Sequence, residues 1–572
     1  MNADDAERPF AGEYTRSRST GRRCCCLVLV FLLALVILVV AIAVPLSLRH
    51  KHNGNGSTLA AVADPVSAAC GATLFPIVCN DTMANGGNFT TDSRGMSTFA
   101  VKLAGNGVNQ TLYVVLGINN TANLNVTGAV DTCLETLSLA GSYLAAIHND
   151  LQNETAVLED LQAALYGAWE LHTTCIDTFV EFAPEFSAGV VAQGQQADEL
   201  LSNAASVDGA FKNITSGGGG GRRLLSNVDL VPETEEALDE PPRWLSPSEY
   251  RRMLGGAAMK INAVVARDNS GKYTSIQKAV SAAPKNSKTR WVIYVKAGVY
   301  YEQVQIPSGT TNLYLVGDGI GRTVITGNRN VGCNCGVTTF QSATLAVSGP
   351  GFMMRGITVR NTAGAKMFQA VALRVSADKA AFFQCSFEGY QDTLYAHSFR
   401  QFYKQCYVYG TVDFIFGNAA AVFQNCNIMA RTGIVGQQNT YTAQGRTSPA
   451  MNTGLSFQNC YFDGIPYLHQ HSNIFLTYLG RPWKAYSLCV HLRSNLGNVV
   501  NPAGWLYWNA TSFGLKTSFF AEFLSSGPGA KGPRVWWSHQ INAATASKFQ
   551  ANNFINGKGW VPSTSFPYTA TL

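Results

Sequence analysis

Two aspartates in an acid-poor region are the residues with the most chemistry to offer. In "GYQDTLYAHSFRQFYKQCYVYGTVDFIFG", residues 389–417, the only acids are Asp392 and Asp413, 21 residues apart and each three residues after a glycine. From residue 257 to the end there are 9 Asp+Glu against 27 Lys+Arg. Two carboxylates held side by side repel unless a cation is near or one keeps its proton. A pair split in that way, one ionised and one protonated, suits nucleophilic and acid–base chemistry at neutral pH.

What would bring them together is a repeat. Four phrases recur, "FFQCSFEG", "YKQCYVYG", "FQNCNIMA" and "FQNCYFDG", each with an aromatic residue three before a cysteine: Phe382, Tyr403, Phe423 and Phe457. The cysteines are Cys385, Cys406, Cys426 and Cys460, and the first two intervals, 21 and 20 residues, are those of a solenoid coil. Short β-rich runs without intervening helices predict a β-solenoid, in which equivalent positions stack about 4.8 Å apart. Asp392 and Asp413 both lie seven residues after their cysteine, so they share one column; by the same count the next two repeats place Gly433 and Tyr467 there. Stacking also makes Cys406 and Cys426 a candidate disulfide between adjacent coils, with buried thiols as the alternative.

The phrases "GVYYE", "QAVALRV", "CSFEGYQDTLY", "GTVDFIFGNA", "TAQGR", "YLGRPW" and "GPGA" occur in this order across 257–572. In them the sequence resembles the plant pectin methylesterases. That resemblance implies an all-β right-handed parallel β-helix that hydrolyses the methyl esters of galacturonate in pectin, without a metal or organic cofactor. It also implies roles. Asp413 would be the nucleophile, Asp392 the general acid and then base, and Arg481 the cation that orients the nucleophile. Gln391 and Gln369 would steady the oxyanion, while Thr339 and Trp483 would contact substrate. Departures from the family pattern fall beside the cleft: Cys333 and Cys335 where Asp-Gly is usual before Thr339, Ala365 for proline, Phe368 before Gln369, and Leu488 for arginine. The rivals are a polygalacturonase-type glycoside hydrolase using the same two acids and a pectin-binding pseudoenzyme. A serine esterase is disfavoured, since no G-x-S-x-G occurs.

The rest of the chain positions and restrains this domain. Residues 24–48, "CCCLVLVFLLALVILVVAIAVPLSL", form an uncharged stretch long enough to span a bilayer. Arg16, Arg18, Arg22 and Arg23 ahead of it favour a cytosolic tail (1–23) and a type II signal anchor. Nine N-x-S/T sequons agree with a body in the secretory pathway. Residues 57–213 show three- and four-residue apolar spacing and predict the helices of an all-α bundle. Its four cysteines allow three pairings, of which Cys70–Cys79 with Cys133–Cys175 is simplest. "CGATLFPIVC", the two later cysteines and "LLSNAAS" resemble the invertase and pectin methylesterase inhibitors, which implies a four-helix bundle with two disulfides. Residues 214–256 read as a linker with two dibasic phrases, Arg222-Arg223-Leu224-Leu225 and Arg251-Arg252-Met253-Leu254, candidate sites for a processing protease. Residues 1–256 carry a net −12 and 257–572 a net +18. An acidic bundle that docks on a basic, pectin-binding domain is therefore expected, with no nucleic-acid partner. The whole reads as a membrane-anchored precursor, silent until cleavage releases the enzyme to the cell wall.

Overall fold

The structure, a computed structural model, describes residues 65–85, 89–118, 123–155, 157–216, 260–509 and 511–571. The apolar segment 24–48 and both dibasic phrases, 222–225 and 251–254, lie outside the described residues. Among the described residues no helix is long and apolar enough to cross a membrane.

Six helices come first: α1 (Pro65–Gly71), α2 (Pro76–Asn85), α3 (Ser93–Leu116), α4 (Leu124–Gln152), α5 (Leu158–Phe182) and α6 (Pro184–Ser216). The four long ones form the bundle, α3 packing on α4 and α6, and α5 on the same two. In α4 the buried residues Cys133, Leu137, Ala140, Leu144, Ile147 and Leu151 follow alternating four- and three-residue steps, a single stripe on one helix face. A disulfide joins Cys70 to Cys79 and closes the α1–α2 hairpin, and another joins Cys133 to Cys175 across α4 and α5. The side chain of Asp92 caps α3 by accepting from the Gly95 amide at 2.7 Å.

From Ile261 the chain winds as a parallel β-helix through sheets of eleven, eight and seven strands. One coil reads Ala380–Phe383 in the first sheet, Ser386–Glu388 in the second and Leu394–Ser398 in the third, before Arg400–Lys404 begins the next. The recurrent phrases build the corner between the first two sheets. The residue before each cysteine, Gln384, Gln405, Asn425 or Asn459, has φ of 51–54°. This left-handed conformation turns the chain sharply in one residue. The aromatic residues of the phrases pair in register and stack, with centroids 4.8 Å (Phe382–Tyr403), 4.4 Å (Tyr403–Phe423) and 4.6 Å (Phe423–Phe457) apart. Replacing the fully buried Phe423 by alanine is expected to destabilise the domain by about 3–5 kcal/mol in denaturant unfolding. A loss under about 1 kcal/mol would show that the ladder is not what holds the coils in register.

The cysteine column corrects one expectation. Cys406 and Cys426 are not bonded; with Cys385 and Cys460 they are buried thiols. Parallel side chains one rung apart do not present the near-perpendicular torsion that a disulfide requires. Each thiol instead meets carbonyls: Cys406 Sγ donates to Lys404 O at 3.4 Å, and Cys426 Sγ to Gln424 O at 3.5 Å. Cys333 and Cys335, unassigned from sequence, are joined to each other.

Candidate active site

Both aspartates sit where the chain passes from the second sheet to the third. Asp392 is two residues before Leu394 and Asp413 two before Ile415, and Leu394 pairs with Ile415 across the sheet. Their φ values, 62° and 50°, place each in the left-handed region at the bend, which aspartate tolerates better than most residues. The Asp392 amide donates to the Val412 carbonyl at 3.1 Å, locking one corner onto the next. The column then continues differently from the count made on cysteines. The corner after Cys426 is seven residues longer, so the residue stacked on Asp413 is Thr440, not Gly433. Thr440 in turn pairs with Tyr478, not Tyr467.

The two acids have unequal surroundings. Arg481 holds Asp413 in a fork, Nε donating to Oδ1 at 2.8 Å and Nη2 to Oδ2 at 2.6 Å. Thr440 Oγ1 adds a hydrogen bond to Oδ1 at 2.6 Å. Such a fork fixes the carboxylate in direction. Asp392 lacks a fork of that kind. Burial first, then the charges of Asp413 and Glu181, push its carboxyl well above the usual carboxylate range, against a smaller pull from Arg481. For Arg481 burial alone would lower the pKa, but the Asp413 carboxylate outweighs it and holds the guanidinium charged.

Gln391, Gln369, Thr339 and Trp483 line the same cavity, of about 360 Å³, as Asp392, Asp413 and Arg481. The seven residues expected to catalyse or to contact substrate thus line one cavity. The floor is apolar: Phe340, Tyr395, Phe416 and Ala443 cluster there, with Trp483 and Trp508 against them. Thr440 and Trp508 were missed. Thr440 was hidden by the longer corner. Trp508, whose ring lies 4.5 Å from the Arg481 guanidinium, has no motif to mark it.

A lid of bundle residues completes the cavity: Thr174, Asp177, Thr178, Glu181 and Phe182, all on α5. Acids of the bundle meet bases of the β-helix around it. Asp177 pairs with Lys484 at 2.7 Å, and Asp160 with Arg400 at 2.6 Å and Lys379 at 3.0 Å. Between these, Thr174 Oγ1 lies 2.7 Å from His397 Nε2, and Asn418 Nδ2 donates to the buried Glu170 Oε2 at 2.7 Å. The −12 and +18 halves therefore meet through specific pairs.

A family model described as Pectinesterase matches residues 262–558, and one described as Plant invertase/pectin methylesterase inhibitor matches 64–207. Pectinesterase 2.2 of Solanum lycopersicum is 42% identical over 495 residues, covering 84% of this chain and 86% of its own. Pectinesterase 2 of Arabidopsis thaliana is 39% identical over 544 residues, covering 90% and 91%. Among solved structures, the pectin methylesterase from carrot is 47% identical with a TM-score of 0.54, covering 55% of this chain and 99% of its own.

Proposed function

The chain belongs to the pectinesterase family and is a pectin methylesterase with an inhibitor-like region ahead of its catalytic domain, and from that premise we propose the part each residue of the cleft plays. Asp413, ionised and aimed by Arg481, attacks the ester carbonyl of a methyl galacturonate. The tetrahedral oxyanion rests on the side-chain amides of Gln391 and Gln369. Its collapse breaks the bond to the methoxy oxygen, which takes the proton of Asp392 and leaves as methanol. A mixed anhydride with Asp413 remains. Asp392, now a carboxylate, takes a proton from water as the water oxygen attacks the anhydride carbonyl; this frees the acid product and restores both aspartates. Trp483 offers a face to a sugar ring, and Thr339 stands at the edge of the cleft. The observation that carries this reading is the unequal pair, Asp413 forked by Arg481 beside a buried Asp392 whose carboxyl is pushed well above the usual carboxylate range. Methanol release from highly esterified pectin, with no new reducing ends, is the test; reducing ends without methanol would move the assignment to glycoside hydrolysis.

The bundle acts as an autoinhibitor, because α5 closes the cleft that pectin has to enter. The segment carrying the dibasic phrases is where cleavage would separate the two parts, after anchoring by residues 24–48 and before release to the cell wall. Gly128 of α4 lies against the backbone of Gly336, and a Cβ there would collide with the Gly336 carbonyl. Gly128→Leu is therefore expected to lift the bundle and raise methanol release by the uncleaved chain several-fold, with helicity unchanged. If uncleaved wild type already matched the cleaved protein, the autoinhibition reading would be wrong.

A further inference from the structure

A second arginine continues the sheet face that floors the cleft and takes no part in the chemistry above. Arg374, Tyr395, Phe416, Ala443 and Arg481 are paired in that order across the third sheet. They occupy one ladder position on five successive coils, so all five side chains leave the same face. Four rungs at about 4.8 Å put Arg374 roughly 19 Å from Arg481 along the axis. Between them the rings of Tyr395 and Phe416 stack at 4.1 Å. The column that floors the cleft with aromatic rings thus has a guanidinium at each end.

Arg481 is consumed by Asp413, whereas Arg374 meets no acid of its own domain among the described residues. Its guanidinium lies 3.3 Å from the ring centre of Phe340, which also lines the catalytic cavity. The side chain is only 2% exposed, and its Nε and Nη1 have no hydrogen-bond partner among the described residues. Its one acidic contact comes from the bundle: Nη2 donates to Glu135 Oε1 of α4 at 2.8 Å. A buried guanidinium with spare donors is unfavourable unless an anion meets it, and once the bundle leaves, nothing in the β-helix replaces Glu135.

We propose that Arg374 binds a free galacturonate carboxylate of the pectin chain several sugars from the ester being cleaved, and that Glu135 of the bundle occupies this carboxylate subsite in the precursor. The inference rests on the esterase reading of the cleft. It assigns to Arg374 a preference for chains that already carry free acids, since a methyl ester offers the fork no negative charge. It also gives the bundle a contact that mimics the product of the reaction.

The test uses the full chain with a specific protease site placed in the 217–256 linker, cleaved before assay. On fully methylesterified pectin, Arg374→Gln is expected to match wild type in methanol release. On half de-esterified pectin its KM should rise roughly tenfold or more with kcat little changed, as for a lost charge-assisted hydrogen bond, and Arg374→Lys should recover part of that loss. Glu135→Gln should weaken rebinding of the bundle. Unesterified oligogalacturonate should displace the wild-type bundle and fail to displace it from Arg374→Gln at the same concentration. Equal losses on both substrates would make Arg374 a structural residue and overturn the proposal, as would no loss on either. Melting curves identify a misfolded Arg374 variant, in which case the Glu135→Gln arm and the displacement of the wild-type bundle by oligogalacturonate decide alone. Absence of methanol from the wild-type protein would be a failure of the esterase reading itself, separable from any of these results.

Discussion

Asp413→Asn is expected to reduce methanol release from esterified pectin by about 10⁴-fold or more, on the scale seen when a covalent nucleophile is removed. The amide is nearly isosteric, but it carries no charge for Arg481 to orient and is a poor nucleophile towards the ester. Asp392→Asn should lose less, roughly 10²–10⁴-fold, because it removes proton transfer and leaves the nucleophile in place. The two variants should also differ in pH dependence. Asp392 must be protonated when methanol leaves, and burial together with Asp413 raises its pKa well above the ordinary 3.8. In the released enzyme the bundle's cover and Glu181 are gone, but the neighbouring Asp413 still raises Asp392; activity should therefore fall as pH rises through the value that remains, and this limb should be missing from the residual activity of Asp392→Asn. Arg481→Lys keeps a charge but loses the two-pronged contact with Oδ1 and Oδ2, so it should lie between the two. Full activity in Asp413→Asn would remove the nucleophile assignment. Equal pH limbs in wild type and Asp392→Asn would remove the acid.

How far the sequence foretold this site follows from how the fold encodes position. In a β-solenoid, stacking preserves register from coil to coil wherever the corners keep their length, so counting from Cys385 and Cys406 places Asp392 and Asp413 in one column. The count fails after Cys426, because the longer corner carries no mark of its length until strand pairing reveals it. Thr440 was lost for that reason. The cysteine column shows a different limit. Proximity was legible, but the direction of the side chains was not, and direction decides against a Cys406–Cys426 bond. The amphipathic stripe of α4 defined the bundle's core, whereas nothing in α5 distinguished the face that meets the β-helix. Charge balance predicted that the halves attract; it could not say that Glu170, Asp177 and Glu181 would be the acids at the cleft.

Docking of the bundle should weaken steeply as pH rises from about 6.5 to 8. Glu170 is buried against Asn418, and burial, with smaller pushes from Asp177 and Asp198, raises its carboxyl to about 8 from 4.5; the Asn418 hydrogen bond and Lys484 pull the other way. A group whose pKa is raised on docking contributes fully below its free value and loses that contribution as pH climbs towards the docked one. Taken alone, Glu170 would weaken docking from about 4.5 upward by up to ~1.4 kcal/mol, a factor of ten, per pH unit. His397 faces the same contact through Thr174 and acts in the opposite sense. Burial, reinforced by Arg374, drives its pKa well below the ordinary 6.5, so docking excludes a proton that the exposed ring would bind below pH 6.5. Between about 4.5 and 6.5 the two effects largely cancel, and above 6.5 Glu170 acts unopposed. Glu181, raised by burial and by Asp177, and Asp392 add losses of the same sign. Asp160 is depressed because Arg400 and Lys379 outweigh its burial; its contribution is lost only on acidification below about 4. The dissociation constant of the bundle, measured after cleavage in the linker, should therefore rise gently from about 4.5 to 6.5, where His397 offsets one of the acids, and then more steeply, by about tenfold per unit or more. Glu170→Gln should remove a large part of the alkaline rise, and His397→Asn should steepen the limb below 6.5 so that docking tightens further towards low pH. A wild-type constant that stays level or falls between 6.5 and 8 would show that Glu170 does not couple proton loss to release of the cleft.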